Sequence, residues 1–200
     1  MKRETRSRGI ILKKHFPHKF KISLLDQTYG RLDVLPASWQ WASYASSGAI
    51  IVYLLEEGDS AFFIKNIELE VVPVYTDELS ILFMHHLLEV CYFGVPIQCG
   101  PDESFDFLVN VINSLHFVCA STERQKLLLA KFLFLIGQYP ADIGHLTISS
   151  MLHKSFEYLL EVTLKPSHQK DLEIFIYHCI RFHPYGRLLK TVNFLSRVGE

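Results

Sequence analysis

Residues 1–75 place their hydrophobic positions at strand spacing, and residues 76–200 place them at helical spacing. Gly9 to Lys13 is a short apolar run. Phe20, Ile22 and Leu24 alternate with Lys19, Lys21 and Ser23. The alternation breaks at Gln27-Thr28-Tyr29-Gly30 and resumes at Arg31, with Leu32 and Val34, until Pro36. Gly30 supplies the positive φ that a tight reversal commonly needs, so the pattern predicts a hairpin. Ala49 to Leu55 is continuously apolar, as expected of a strand covered on both faces. Glu56-Glu57-Gly58-Asp59 reads as a turn. Phe63 to Val72 reads as a returning strand, with Ile67, Leu69 and Val71 alternating with Glu68 and Glu70. Five short strands in so little chain predict a small barrel of the OB type.

The rhythm then changes. Asp77 is placed to cap a helix whose stripe is Leu79, Leu82, Phe83, Leu87 and Val90, ended by Gly94 and Pro96. Pro101-Asp102 predicts the start of a second helix, with Phe105, Leu108, Val109, Ile112 and Leu115 at helical spacing. Thr122 and Gln125 match a capping box. The run Leu127 to Ile136 is apolar nearly all round, as a central helix would be, and Gly137 stops it. A loop is expected over 138–146, and a helix from about Thr147 to Leu164. Another helix is expected from a Ser167 cap to Pro184, and a short closing one near Leu188 to Leu195. The expected class is α+β: a five-stranded OB-fold barrel over 1–75, then an all-helical domain over 76–200.

Composition adds limits. The chain has 200 residues, 49% of them hydrophobic, enough for a sizeable core. Its longest apolar run, Leu127 to Ile136, contains Lys131 and falls far short of the roughly 20 residues of a membrane span, so no membrane association is expected. Met1 to Arg8 is basic, but the apolar run behind it is too short for a secretory signal. Cys91, Cys99, Cys119 and Cys179 form no Cys-x-x-Cys pair, which predicts free thiols in a reducing cytoplasm rather than a zinc site.

The formal net charge of −1 hides an asymmetry. Lys2, Arg3, Arg6, Arg8, Lys13, Lys14, Lys19 and Lys21 precede Leu25 against Glu4 alone, whereas residues 66–123 hold no Lys or Arg. A basic front suggests an anionic partner. Catalytic patterns are missing. There is no His-Glu-x-x-His, no Gly-x-Ser-x-Gly and no phosphate-binding glycine loop. The ten histidines are scattered, and the helical carboxylates sit mainly at helix starts, where they complement the dipole. No enzyme, cofactor or metal is expected.

The order of these segments resembles the bacterial recombination mediator RecO. RGIILKK resembles that family's opening strand, and ISLLDQTYGRLDVLP its second strand, Gly-Arg-Leu hairpin and third strand. IELEVVPVYTDELSILFMHHLLEV is similar to its last barrel strand and first helix. AKFLFLIGQYP is similar to its central helix, and YHCIRFHPYGRLLKTVNFL to its C-terminal helix pair. Two departures stand out. PASWQWASYASSG carries no basic residue where the family has a Lys-Gly-Ala-Arg-like stretch, and ADIGHLTISS carries no cysteine where many members have a four-cysteine zinc element. The resemblance implies a DNA repair and recombination mediator in the bacterial cytoplasm at the nucleoid. It would bind single-stranded DNA, anneal complementary strands and assist RecA loading with a RecR-like protein and single-strand-binding protein. The missing basic stretch leaves open a protein-interaction adaptor that keeps the fold without DNA binding.

An OB barrel binds single strands through a basic groove with aromatic platforms. The expected nucleic-acid residues are Lys13, Lys14, Lys19, Lys21 and Arg31, with Trp39 and Trp41 as stacking rings; the alternative is a solvated basic face and rings packed on the barrel. The resemblance also implies a helical docking place for the acidic C-terminal tail of single-strand-binding protein. Arg124, Lys126 and Lys131 are the expected cations there, and Leu128 and Phe132 the groove floor.

Overall fold

The computed structural model describes residues 4–15, 20–38, 46–100, 103–139 and 147–189. Five strands, β1 (Glu4–Lys14), β2 (Ile22–Asp26), β3 (Gly30–Pro36), β4 (Ile50–Glu57) and β5 (Phe62–Val71), close a barrel in the order β1-β2-β3-β5-β4. β1 is antiparallel to both β2 and β4, while β3 and β5 run parallel. This is the OB order expected from the strand pattern. Side chains alternate inward and outward along each strand. The inward set, Ile11, Ile22, Leu24, Leu32, Val34, Ile51, Tyr53, Leu55 and Ile64, forms one buried cluster. Gly30 has φ +71°, as the hairpin requires.

β1 begins five residues earlier than its apolar run. The polar stretch Glu4 to Arg8 is held by pairing with β4 from Glu56 to Val52, which hydrophobicity alone does not reveal. Outside the barrel, Ile10 pairs with both Leu25 and Ile50, and all three are buried.

The helices are α1 (Glu78–Gly94), α2 (Glu103–Asn113), the short α3 (Leu115–Val118), α4 (Thr122–Leu135), α5 (Ser149–Leu152), α6 (Phe156–Glu161) and α7 (Pro166–Phe182). Asp77 caps α1 by accepting from the Ser80 N–H at 2.7 Å. Pro101 and Asp102 lie outside the described residues.

Three helix boundaries differ from the pattern. Ser121, not Thr122, caps α4, accepting from the Arg124 N–H at 3.3 Å, while Gln125 is buried in the core. The single helix expected from Thr147 to Leu164 is two, because Ser155 adopts an extended conformation and caps α6 by accepting from the Tyr158 N–H. α7 starts with Pro166 in its first turn, where a missing N–H costs nothing, rather than with a Ser167 cap. A 3-10 turn follows at Gly186–Leu188; the closing helix expected near Leu188 to Leu195 falls almost wholly in residues 190–200, which lie outside the described residues.

The chain divides into two compact units. The first combines Met1–Val74 with Cys91–Ile112, and the second combines Tyr75–Val90 with Asn113–Glu200. Within the first, Ile97 forms a parallel bridge with Arg31, the Gln98 N–H donates to the Arg31 carbonyl at 3.0 Å, and the Arg8 guanidinium lies 5.7 Å from the Phe105 ring centre. Within the second, α4 is the central element. Leu128, Leu129, Ala130 and Phe132 have no solvent exposure, and α7 packs along it.

Candidate nucleic-acid interface

The outward side of β1, β2 and β3 carries the barrel's polar cluster. A bulge at Leu12 brings Lys13 opposite Ser23, which in turn lies opposite Asp33. Lys21, immediately before β2, donates from Nζ to Asp33 Oδ2 at 2.7 Å, and Ser23 Oγ donates to Asp33 Oδ1 at 2.5 Å. His15 Nε2 and Ser23 Oγ are 2.9 Å apart. Partial burial opposes ionisation of Asp33, but the hydrogen bonds from Lys21 and Ser23 and the Lys21 charge outweigh it. Its carboxyl therefore stays below the usual carboxylate range.

Tyr92, in the last turn of α1, completes the cluster. Lys13 Nζ lies 4.8 Å from its ring centre, the Arg31 guanidinium carbon 5.2 Å, and the His15 ring 6.1 Å. Arg31 also donates from Nη1 to the Tyr92 carbonyl. Cations over a tyrosine face are favoured by the ring quadrupole.

The front cations are not equally available. Arg8 makes a two-pronged contact with Glu70, its Nε donating at 2.8 Å, and Arg6 lies 3.5 Å from Glu68. Lys21 is committed to Asp33 and Arg31 to the Tyr92 carbonyl. Lys13 and Lys14 have no carboxylate partner among the described residues. Lys21 immediately precedes β2. Lys19, Trp39 and Trp41 lie outside the described residues.

The residues expected to form a peptide groove on the helical half do not converge on an open surface. Leu128 and Phe132 are core residues with no exposure. Lys131 is 8% exposed and donates from Nζ to the Leu152 carbonyl at 2.6 Å. Arg124 donates to the Phe117 carbonyl at 2.6 Å, and Lys126 pairs with Glu173 at 2.8 Å. A residue on a helix buried nearly all round has no outward face to offer, which corrects the groove reading for Leu128, Lys131 and Phe132.

The four cysteines form no disulfide. Burial pushes the Cys119 thiol up to about 11 and the Cys179 thiol up to about 12, so neither carries thiolate at neutral pH. Among the described residues no three His, Cys, Asp or Glu side chains are grouped to hold a metal, and no helix is long and apolar enough to cross a membrane.

Sequence reasoning did not single out Asp33, Ser23, His15 or Tyr92. For Asp33 a signal existed: it alternates with Leu32 and Val34 and so must face outward with Arg31. For Tyr92 there was none, since it reaches β3 across 61 residues of chain. No family model matches the chain, and no curated protein matches it.

Proposed function

We propose that this chain is a non-enzymatic DNA repair and recombination mediator of the RecO type. Its barrel binds single-stranded DNA and brings complementary strands together. With a RecR-like protein and single-strand-binding protein it assists RecA loading, in the bacterial cytoplasm at the nucleoid. The observation that carries this reading is the OB-order barrel, followed by helices, with Lys13, which has no carboxylate partner among the described residues, beside the Tyr92 ring on the β1–β3 side. OB barrels use the β2–β3 face and the β1–β2 loop for oligonucleotides.

The test is a salt titration of binding to a labelled single-stranded oligonucleotide. Each lysine–phosphate contact contributes about 0.7 to the slope of log affinity against log salt. Replacing Lys13 and Lys14 together by Glu should weaken binding more than tenfold at low salt and flatten that slope by about 1.4. A second reading, an adaptor without DNA binding, is favoured by the Arg6–Glu68, Arg8–Glu70 and Lys21–Asp33 pairs, which neutralise much of the front internally. Absence of salt-dependent binding by the native protein selects the adaptor.

A further inference from the structure

We propose that Asp33 is a built-in occupant of an anion site on the barrel, a carboxylate that stands where a nucleic-acid phosphate would stand and that withholds Lys21 from an incoming strand. This rests on the reading of the barrel as a single-strand-binding surface and specifies how that surface is restrained.

The surroundings of Asp33 are those of a phosphate cradle. A lysine ammonium and a serine hydroxyl each donate to one of its two oxygens, at 2.7 and 2.5 Å. His15 backs the serine at 2.9 Å. Ser23 is opposite both Lys13 and Asp33 in the sheet, so the cation without a described carboxylate partner and the occupied cradle lie in one cross-strand row. A hydroxyl, an ammonium and an imidazole in one place serve an anion of either kind, carboxylate or phosphate.

Two consequences separate a displaceable clamp from a pair that only holds β2 to β3. The first is availability. The Lys21 and Asp33 side chains keep 28% and 33% of their exposure while Ser23 is fully covered, so a strand lying along β2–β3 can reach the ammonium but meets Asp33 in front of the hydroxyl. The second is charge. A phosphate approaching Lys21 meets Asp33 as a like charge held at hydrogen-bond distance from the same ammonium. The clamp therefore raises the affinity an anion must reach before it engages this cradle. While Asp33 holds the cradle, a strand anchored nearby at Lys13 goes without the Lys21 phosphate contact.

The test measures binding of a labelled oligothymidine by fluorescence anisotropy across a salt series. The proteins are the full chain, Asp33→Asn, Lys21→Gln and the double variant, with circular dichroism to show that each is folded. Asp33→Asn should bind about tenfold more tightly at low salt, with the slope steeper by about 0.7, one phosphate contact more. Lys21→Gln should remove that gain in the Asp33→Asn background, and should weaken the native protein less than Lys13→Gln does. If Asp33→Asn is poorly folded, Asp33→Ser, which keeps a hydrogen-bonding group for Ser23, carries the same expectation.

The outcomes are distinct. If the native protein binds and Asp33→Asn binds no better, the clamp is overturned while the mediator reading stands. If the native protein does not bind but Asp33→Asn does, the clamp is upheld and the native barrel is a closed site, as in the adaptor. If neither binds, both fail. A loss for Lys21→Gln in the native background as large as for Lys13→Gln also overturns the clamp, because Lys21 would then already hold phosphate.

Discussion

Asp26 is 1% exposed, and four donors converge on it. Ser7 Oγ donates at 2.6 Å and the Tyr53 hydroxyl also donates, while the Thr28 and Tyr29 N–H groups of the hairpin reach Oδ1 at 2.7 and 2.8 Å. Burial first, then the charge of Asp26, holds the Tyr53 phenol protonated and so able to donate. The residue thus ties the β2–β3 turn to β1 and β4 through the barrel interior. Asp26→Ala strands buried donors on three elements and should cost about 3 kcal/mol of unfolding free energy, read from urea denaturation. Tyr53→Phe removes one donor and should cost about 1 kcal/mol.

His86 makes a pH-dependent contribution. It is 1% exposed, and burial lowers its pKa from 6.5 to about 4, the charge of Glu89 opposing only weakly. The folded state holds the ring neutral while the unfolded chain protonates it. Its contribution is therefore fully present above pH 6.5 and is lost as pH falls towards 4, up to about 3 kcal/mol. His86→Leu should flatten stability against pH over that window; an unchanged acid slope in the variant would place the titration elsewhere.

At the scale of elements, periodicity located all five strands and the helices α1, α2, α4 and α7, because a half-buried surface imposes its period on the sequence. It failed where a partner distant in sequence decides. The first half of β1 is polar and is a strand only because β4 lies beside it. The Arg8–Glu70 pair joins residues 62 apart, so the basic front and the acidic middle, which look separate along the chain, partly neutralise each other across β1 and β5. Expected site residues fared likewise. The strand period puts Lys21 on the outward side, but the pairing with Asp33 that occupies it is not visible in the sequence. α4 shows the opposite limit: hydrophobicity all round means that Lys131 has nowhere to go but inward, to the Leu152 carbonyl. Lys131→Glu would set a buried carboxylate against that carbonyl oxygen and should destabilise the protein by roughly 3 kcal/mol or more. Arg124→Glu, at the solvent-facing start of the same helix, should cost less than about 1 kcal/mol. Equal melting temperatures for the two variants would contradict this account of α4.

For the whole molecule, sequence order and compact unit do not coincide. The change of rhythm near residue 75 marks where strands give way to helices, and it suggests a barrel that ends there. Yet residues 91–112 belong to the barrel's unit. They supply the Tyr92 carbonyl and ring for Arg31, the Gln98 N–H for the Arg31 carbonyl, and Phe105 beneath Arg8. Gly30 belongs to the same fit, since a Cβ there would stand 3.0 Å from the Gly100 carbonyl oxygen. Without those residues, Arg31 loses its acceptor and the outward face of β3 loses its bridge to Ile97. A fragment of residues 1–75 should therefore lack a cooperative thermal transition and show poor amide dispersion in a two-dimensional NMR spectrum. A fragment of residues 1–113 should show the barrel's dispersed strand amides and melt cooperatively. Residues 75–90 in that longer fragment come from the other unit, and their apolar side chains Phe83, Leu87 and Leu88 would lack that unit's partners, so the spectrum should contain a second, poorly dispersed set of signals. If residues 1–75 alone melt as sharply and as high as residues 1–113, the segment from Cys91 to Ile112 decorates the barrel without stabilising it.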